Sequence, residues 1–122
     1  MSRDPPLIAV VDDDEAIRKA LSRLLRALDF EVRSFPSGEA FLRSLQEIHP
    51  DCVLLDLHMP DMDGLGVLRE LHGRAVRMPV IIITAHDEPG VQASCLAIGA
   101  SAYLAKPIDG GALQRAIAHA IR

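Results

Sequence analysis

An aspartate that closes a short apolar run is placed for chemistry, and residues 51–60, DCVLLDLHMP, have that form. Cys52 to Leu55 show no alternation of polar and apolar types, which reads as a strand buried on both faces. Asp56 then falls at the carboxyl edge of a sheet, where open α/β folds bind their ligands. Pro60, Asp61, Asp63 and Gly64 read as a turn behind it. Three further runs end in polar groups. Leu7 to Val11 stops in Asp12, Asp13, Asp14 and Glu15, Val80 to Ile83 leads into Thr84, and Ala102 to Leu104 leads to Lys106. In a parallel sheet these ends share one crevice holding three carboxylates, a hydroxyl and an ammonium. Crowded carboxylates repel and invite a hard divalent cation, and oxygen ligands with positions left for water suit Mg²⁺. The metal, Lys106 and the Thr84 hydroxyl would clamp a phosphoryl group, with Asp56 as an in-line nucleophile. Singly, each residue has a plainer reading. Asp14 or Glu15 caps a helix, Lys106 is a solvated lysine, Thr84 a strand former and Tyr103 a partly buried aromatic. Their coincidence at four strand ends argues for a site.

The elements that must position these groups alternate along the chain. After the first strand, Ile17, Leu21, Leu24, Leu25 and Leu28 recur at helical spacing over 16–28, with acidic residues at the start and basic ones along the helix to suit its dipole. Phe30 to Phe35 reads as a second strand. Ser37 is a cap for a helix running to about Ile48, with Glu39 in its first turn. A helix from Gly64 to His72 follows the central strand, with Gly73 at the expected stop. After the fourth strand, Asp87 is placed to cap a helix that begins at Glu88 with Pro89 at its first position. Asp109 starts a last helix carrying Leu113, Ile117 and Ile121. Strand and helix thus alternate five times. Unbroken apolar strands between amphipathic helices predict a single doubly wound, five-stranded parallel sheet in one α/β domain spanning 1–122. The chain stops at the end of the last helix, as a domain taken from a longer protein or a free-standing one would.

Composition narrows the function classes. The chain has 122 residues, 49% of them apolar, enough for one sizeable core. Phe30, Phe35, Phe41 and Tyr103 are the whole aromatic set, so the core is aliphatic. A net charge of −4 gives no support for direct nucleic-acid binding. Cys52 and Cys95 lie in apolar segments and read as buried thiols in a reducing compartment. No stretch is long and apolar enough for a membrane span, and Met1–Pro6 lacks a signal-peptide core, which points to the cytoplasm.

VVDDDE at 10–15, LLDLHMPDMDG at 54–64, IIITA at 81–85 and YLAKP at 103–107 resemble, in order and separation, the receiver domain of bacterial two-component response regulators. The resemblance covers nearly the whole chain and is nearest to receivers of the nitrogen-fixation regulator group, whose longer members often carry a helix-turn-helix output domain. It implies a flavodoxin-like (β/α)5 fold with strand order 2-1-3-4-5. It also implies that Asp56 accepts a phosphoryl group from a sensor histidine kinase. Asp12, Asp13, Asp56 and the backbone carbonyl of His58 would hold Mg²⁺, Thr84 would be the switch hydroxyl, and Lys106 would ion-pair with the phosphoryl group. Tyr103 stands where the family has its switch aromatic, and a cis-like peptide would join Lys106 to Pro107. The signal would leave through the face formed by the fourth helix, fifth strand and fifth helix, toward an output domain or a second copy. Physically, a small charge event biases a two-state element.

His58 and His86 each lie two residues beyond a key group, Asp56 and Thr84. Family positions of this kind tune hydrolysis of the acyl phosphate, so the pair is expected to make its lifetime pH-dependent; the plainer reading leaves both rings facing solvent. Beside three aspartates they could also take Zn²⁺ or Mn²⁺. The segment from Val91 to Ile98 has only Gln92 and Ser94 as clear polar residues, which predicts a contact surface that Arg115 and Arg122 could join. Two other classes compete with the receiver reading. A Mg²⁺-dependent aspartyl-phosphate phosphatase of the haloacid dehalogenase type would want an aspartate where His58 stands, and a cap domain. A receiver-fold interaction module that works without phosphorylation would need a defect the sequence does not display. A flavin-binding domain would want a hydroxyl- and glycine-rich first loop in place of Asp12–Glu15.

Overall fold

A computed structural model describes residues 5–86 and 88–121. The elements run β1 (Leu7–Val11), α1 (Glu15–Ala27), β2 (Glu31–Phe35), α2 (Gly38–Ser44), β3 (Cys52–Asp56), α3 (Gly64–Gly73), β4 (Val80–Thr84), α4 (Val91–Ile98), β5 (Ala102–Ala105) and α5 (Gly110–Ile121). All strand pairings are parallel, in the order β2-β1-β3-β4-β5. The doubly wound five-stranded architecture expected from the sequence is the one observed.

Alternation along the buried strands divides the core in two. Ile8, Val10, Cys52, Leu54, Ile81 and Ile83 pack with Leu21 and Leu25 of α1 and with Leu113 and Ile117 of α5. Ala9, Val11, Val53, Leu55 and Ile82 face the other way, onto Phe41, Val67, Leu68, Leu71 and Cys95 of α2, α3 and α4. Both faces of β1, β3 and β4 are therefore dry, which explains why those strands are apolar without a break. β2 and β5 lie at the sheet edges and are partly exposed.

Helix starts follow side-chain chemistry. Asp14 accepts from the backbone N–H of Ala16 and Ile17, Ser37 from Ala40, Asp63 from Gly66 and Asp109 from Ala112. Each satisfies an N–H that the helix itself leaves unpaired. Helix ends depart more from expectation. α2 stops at Ser44 instead of Ile48, because Leu45, Gln46 and Glu47 donate to carbonyls three residues back and tighten the chain into turns. The Ser44 hydroxyl also bonds the Phe41 carbonyl at 2.6 Å, a side-chain competitor to the helical ladder. α3 runs through Gly73, and the left-handed residue that ends it is Ala75, at φ 57°. α4 begins at Val91 after Gly90 (φ 82°), with Glu88 and Pro89 ahead of it. The expected cap at Asp87 lies outside the described residues. Among the described residues no helix is long and apolar enough to cross a membrane.

Candidate functional site

Strand register brings the polar strand ends together. Val11 pairs with Leu55, so Asp12 and Asp56 leave the sheet side by side, and Thr84 pairs with Ala105, so Lys106 leaves just beyond β4. Asp12, Asp13 and Asp56 each offer a carboxylate oxygen within 4.8 Å of the others. Asp12 and Asp56 are buried, whereas Asp13 is exposed. The Lys106 ammonium lies 2.9 Å from Asp12 Oδ2 and 3.4 Å from Asp56 Oδ1. The Lys106–Pro107 peptide is cis, as expected from the sequence. These four residues, with His58 and His86, line a crevice of about 290 Å³ at the carboxyl edge of the sheet.

Two ties hold Asp12 still. Its Oδ1 accepts from the Asp14 N–H at 2.9 Å, and its carbonyl accepts from Arg18 Nη1 at 2.7 Å. Burial is the main force on Asp56 and raises its pKa above the ordinary value, and the charge on Asp12 raises it further. The Lys106 ammonium and the backbone N–H of His58 pull the other way without reversing the shift. Lys106 is raised as well. Burial acts to lower it, but its hydrogen bond to Asp12 and the charges of Asp56 and Asp12 outweigh burial. An ammonium shared by two carboxylates stays charged.

Thr84 sits at the end of β4, fully buried, but its hydroxyl is held by its own loop. It donates to the His86 carbonyl at 3.0 Å and accepts from the His86 N–H at 3.1 Å, and Thr84 is not among the residues lining the crevice. The predicted five-group cluster is therefore four groups, with the hydroxyl held beside it. Tyr103 is half-buried against the α2–α3–α4 side of the core, with its hydroxyl oxygen shielded from solvent. His58 and His86 meet edge to face at 5.8 Å between ring centroids, and His58 Nε2 lies 3.4 Å from Glu88 Oε1. Both imidazoles are thus at the rim, tied to each other and to the β4–α4 loop.

Two residues hold the site in ways that residue type and spacing do not signal. Beyond the turn and helix start that the sequence predicts at Gly64, a Cβ there would lie 2.6 Å from the Asp56 carbonyl oxygen and 2.9 Å from Leu57 Cα. Only glycine lets α3 start that close behind the Asp56 backbone. Arg18 is one of the basic residues along α1, and nothing in its helical position signals that it reaches the Asp12 carbonyl. Cys52 and Cys95 are free, buried thiols, and burial pushes Cys52 up to about 12. That makes Cys52 inert.

The oxygens of the acidic triad can hold a hard cation, since hard divalent ions take carboxylate oxygen and keep water in open positions. Lys106 adds a positive charge to the same crevice, so an anion arriving there meets complementary charge.

The chain is 38% identical over 117 residues to the DNA-binding transcriptional regulator NtrC of Escherichia coli, covering 93% of this chain and 25% of that protein. It is 34% identical over 110 residues to the transcriptional regulatory protein FixJ of Azorhizobium caulinodans, covering 90% and 52%. The chain thus spans from about a quarter to about half of the length of these relatives. Among solved structures, the crystal structure of FixJ-N superposes with a TM-score of 0.89 at 31% identity, covering 99% of this chain and 95% of that one. Residues 8–118 match the response regulator receiver domain, and the chain belongs to that family.

Proposed function

We propose that this domain receives a phosphoryl group on Asp56 from a histidine of a sensor kinase, in the cytoplasm, and passes the change to an output. The observation that carries the reading is Asp56 itself, a buried carboxylate at a strand end that shares its crevice with the Asp12–Asp13 pair and an ammonium at 3.4 Å. In the transfer, a carboxylate oxygen of Asp56 forms the new P–O bond while the P–N bond to the donor imidazole breaks. The electron pair of that bond leaves with the imidazole. Asp12, Asp13, Asp56 and the His58 carbonyl are the groups that would hold Mg²⁺, with Mn²⁺ as a substitute. When bound, the ion supplies positive charge that offsets the phosphoryl oxygens. Lys106 contributes the second charge, exchanging its hold on Asp56 for one on the phosphoryl group.

Thr84 supports a switch. Its hydroxyl holds the His86 backbone, and turning toward a phosphoryl oxygen would release that loop. Tyr103, packed against the core beside α4, would then resettle and alter the α4–β5–α5 face. That face exposes Leu96, which suits it to an output domain or a second copy. His58 and His86 line the crevice beside Asp56, which supports assigning them the tuning of the acyl-phosphate lifetime.

Intact-protein mass after incubation with acetyl phosphate and Mg²⁺ tests the reading. One labile phosphoryl group is expected, and it should be absent in Asp56→Asn and after chelation. If no adduct forms and beryllium fluoride leaves the NMR spectrum unchanged, the phosphoacceptor assignment is wrong and the domain is an interaction module.

A further inference from the structure

The chain carries a net charge of −4, yet five of its 13 Lys and Arg gather on the flank where α1 meets β2. Lys19, Arg23 and Arg26 follow each other at i+4 and i+3 down the helix. Like charges at that spacing destabilise a helix, so folding alone does not account for them. Glu15 offsets one, pairing with Lys19 at 3.0 Å. Arg23, Arg26 and Arg33 have no acidic partner among the described residues.

These side chains border a groove. A hollow of about 430 Å³ runs between the outer flank of α1 and Ser34. At Arg26 it meets a second of about 510 Å³, which continues past Arg33 along β2. β2 is an edge strand, with no strand paired outside it among the described residues. The Glu31 N–H donates to the Pro6 carbonyl, and the Phe35 carbonyl accepts from Asp12, so alternate residues of β2 turn their backbone toward β1. Val32 and Ser34 therefore turn theirs outward, to the open edge.

We propose that this groove is a docking site for an acidic, extended peptide segment of a partner protein. The segment adds alongside β2 through the outward backbone groups of Val32 and Ser34, with its carboxylates paired to Arg23 and Arg26. The unpaired backbone favours a peptide over a nucleic acid, because strand addition uses hydrogen bonds that only another main chain supplies in register. The competing account is that the cations merely keep this edge from pairing with other chains. The proposal does not rest on phosphorylation of Asp56.

The test uses fluorescence anisotropy with a labelled peptide of alternating Glu and Val, about eight residues long to cover an edge of about 17 Å. A Gln/Val peptide of the same length and a short oligothymidylate serve as controls. Saturable binding is expected for the acidic peptide and not for the neutral one. It should weaken about tenfold or more as salt is raised from roughly 0.05 to 0.5 M. Arg23→Glu/Arg26→Glu should abolish it while leaving circular dichroism and acetyl phosphate labelling intact. In ¹⁵N NMR the Val32 and Ser34 amides should shift and gain exchange protection. The proposal is overturned by equal binding of the neutral peptide, by no binding, or by binding that survives the charge reversal. It is also overturned if oligothymidylate binds more tightly and leaves those two amides unmoved, which would make the flank a polyanion surface.

Discussion

Lys106 bridges Asp12 and Asp56, with its ammonium 2.9 Å from one carboxylate and 3.4 Å from the other. The lysine lies 94 residues from the first and 50 from the second. Without it, two buried carboxylates on adjacent strands would face each other with no ion-paired cation among the described residues. Lys106→Met should therefore lower stability in chelator by about 1–3 kcal/mol, the penalty of leaving a buried charge unpaired. Added Mg²⁺ should recover much of the loss, because it supplies the missing charge. Urea denaturation with and without Mg²⁺ measures both.

Asp56 gives a stability effect of the opposite sign. Burial first, and then the Asp12 charge, hold its folded-state pKa above the ordinary value of 3.8. The folded state thus binds this proton more tightly than the unfolded state. The resulting stabilisation is fully present below the unfolded pKa and is lost as pH rises through the folded one. At neutral pH the ionised Asp56 works against folding, so Asp56→Asn should be more stable than the parent in chelator. The gap should narrow as pH falls toward the ordinary carboxylate range. By the same linkage, Mg²⁺ affinity should begin to fall on acidification at a higher pH than for an unshifted aspartate. A larger gap at pH 4.5 than at pH 7 would contradict the assignment.

Gly64 lies directly behind the backbone of the nucleophile. A methyl at this position meets the Asp56 carbonyl and Leu57 Cα, which are backbone atoms and cannot rotate away. Gly64→Ala should cost about 1–3 kcal/mol. It should also slow acetyl phosphate labelling about 10- to 100-fold through displacement of the carboxylate. Gly73→Ala is the control, since no atom of the described residues outside its own helix backbone lies within 4 Å of its Cβ position. It should leave labelling unchanged.

Ala75 closes α3 in the left-handed region at φ 57°, and the Val76 N–H reaches back to the Leu71 carbonyl. A Cβ in this conformation is strained, and glycine relieves the strain at some cost in unfolded-state entropy. Ala75→Gly should raise stability by about 0.5–1 kcal/mol and leave labelling unchanged, which thermal and chemical melts read directly.

The sequence by itself determined the order of elements, their types and the strand-end positions of Asp12, Asp56, Thr84 and Lys106. Unbroken apolar runs mark doubly covered strands, and short polar side chains before apolar periodicity mark helix starts; both signals are local. Helix ends were less legible, because they turn on carbonyl partners and on which residue adopts positive φ. α2 therefore ends early at Ser44, and the left-handed stop after α3 falls on Ala75 instead of Gly73. What only the tertiary structure decided was direction and approach. It set the Thr84 hydroxyl toward His86, joined His58 to His86 and Glu88, carried Arg18 to the Asp12 carbonyl and drew Gly64 against Asp56. These contacts depend on strand register and loop path, which bring together residues from distant parts of the chain. Residue types and spacing bring the groups to one edge of the sheet; packing decides which of them face one another.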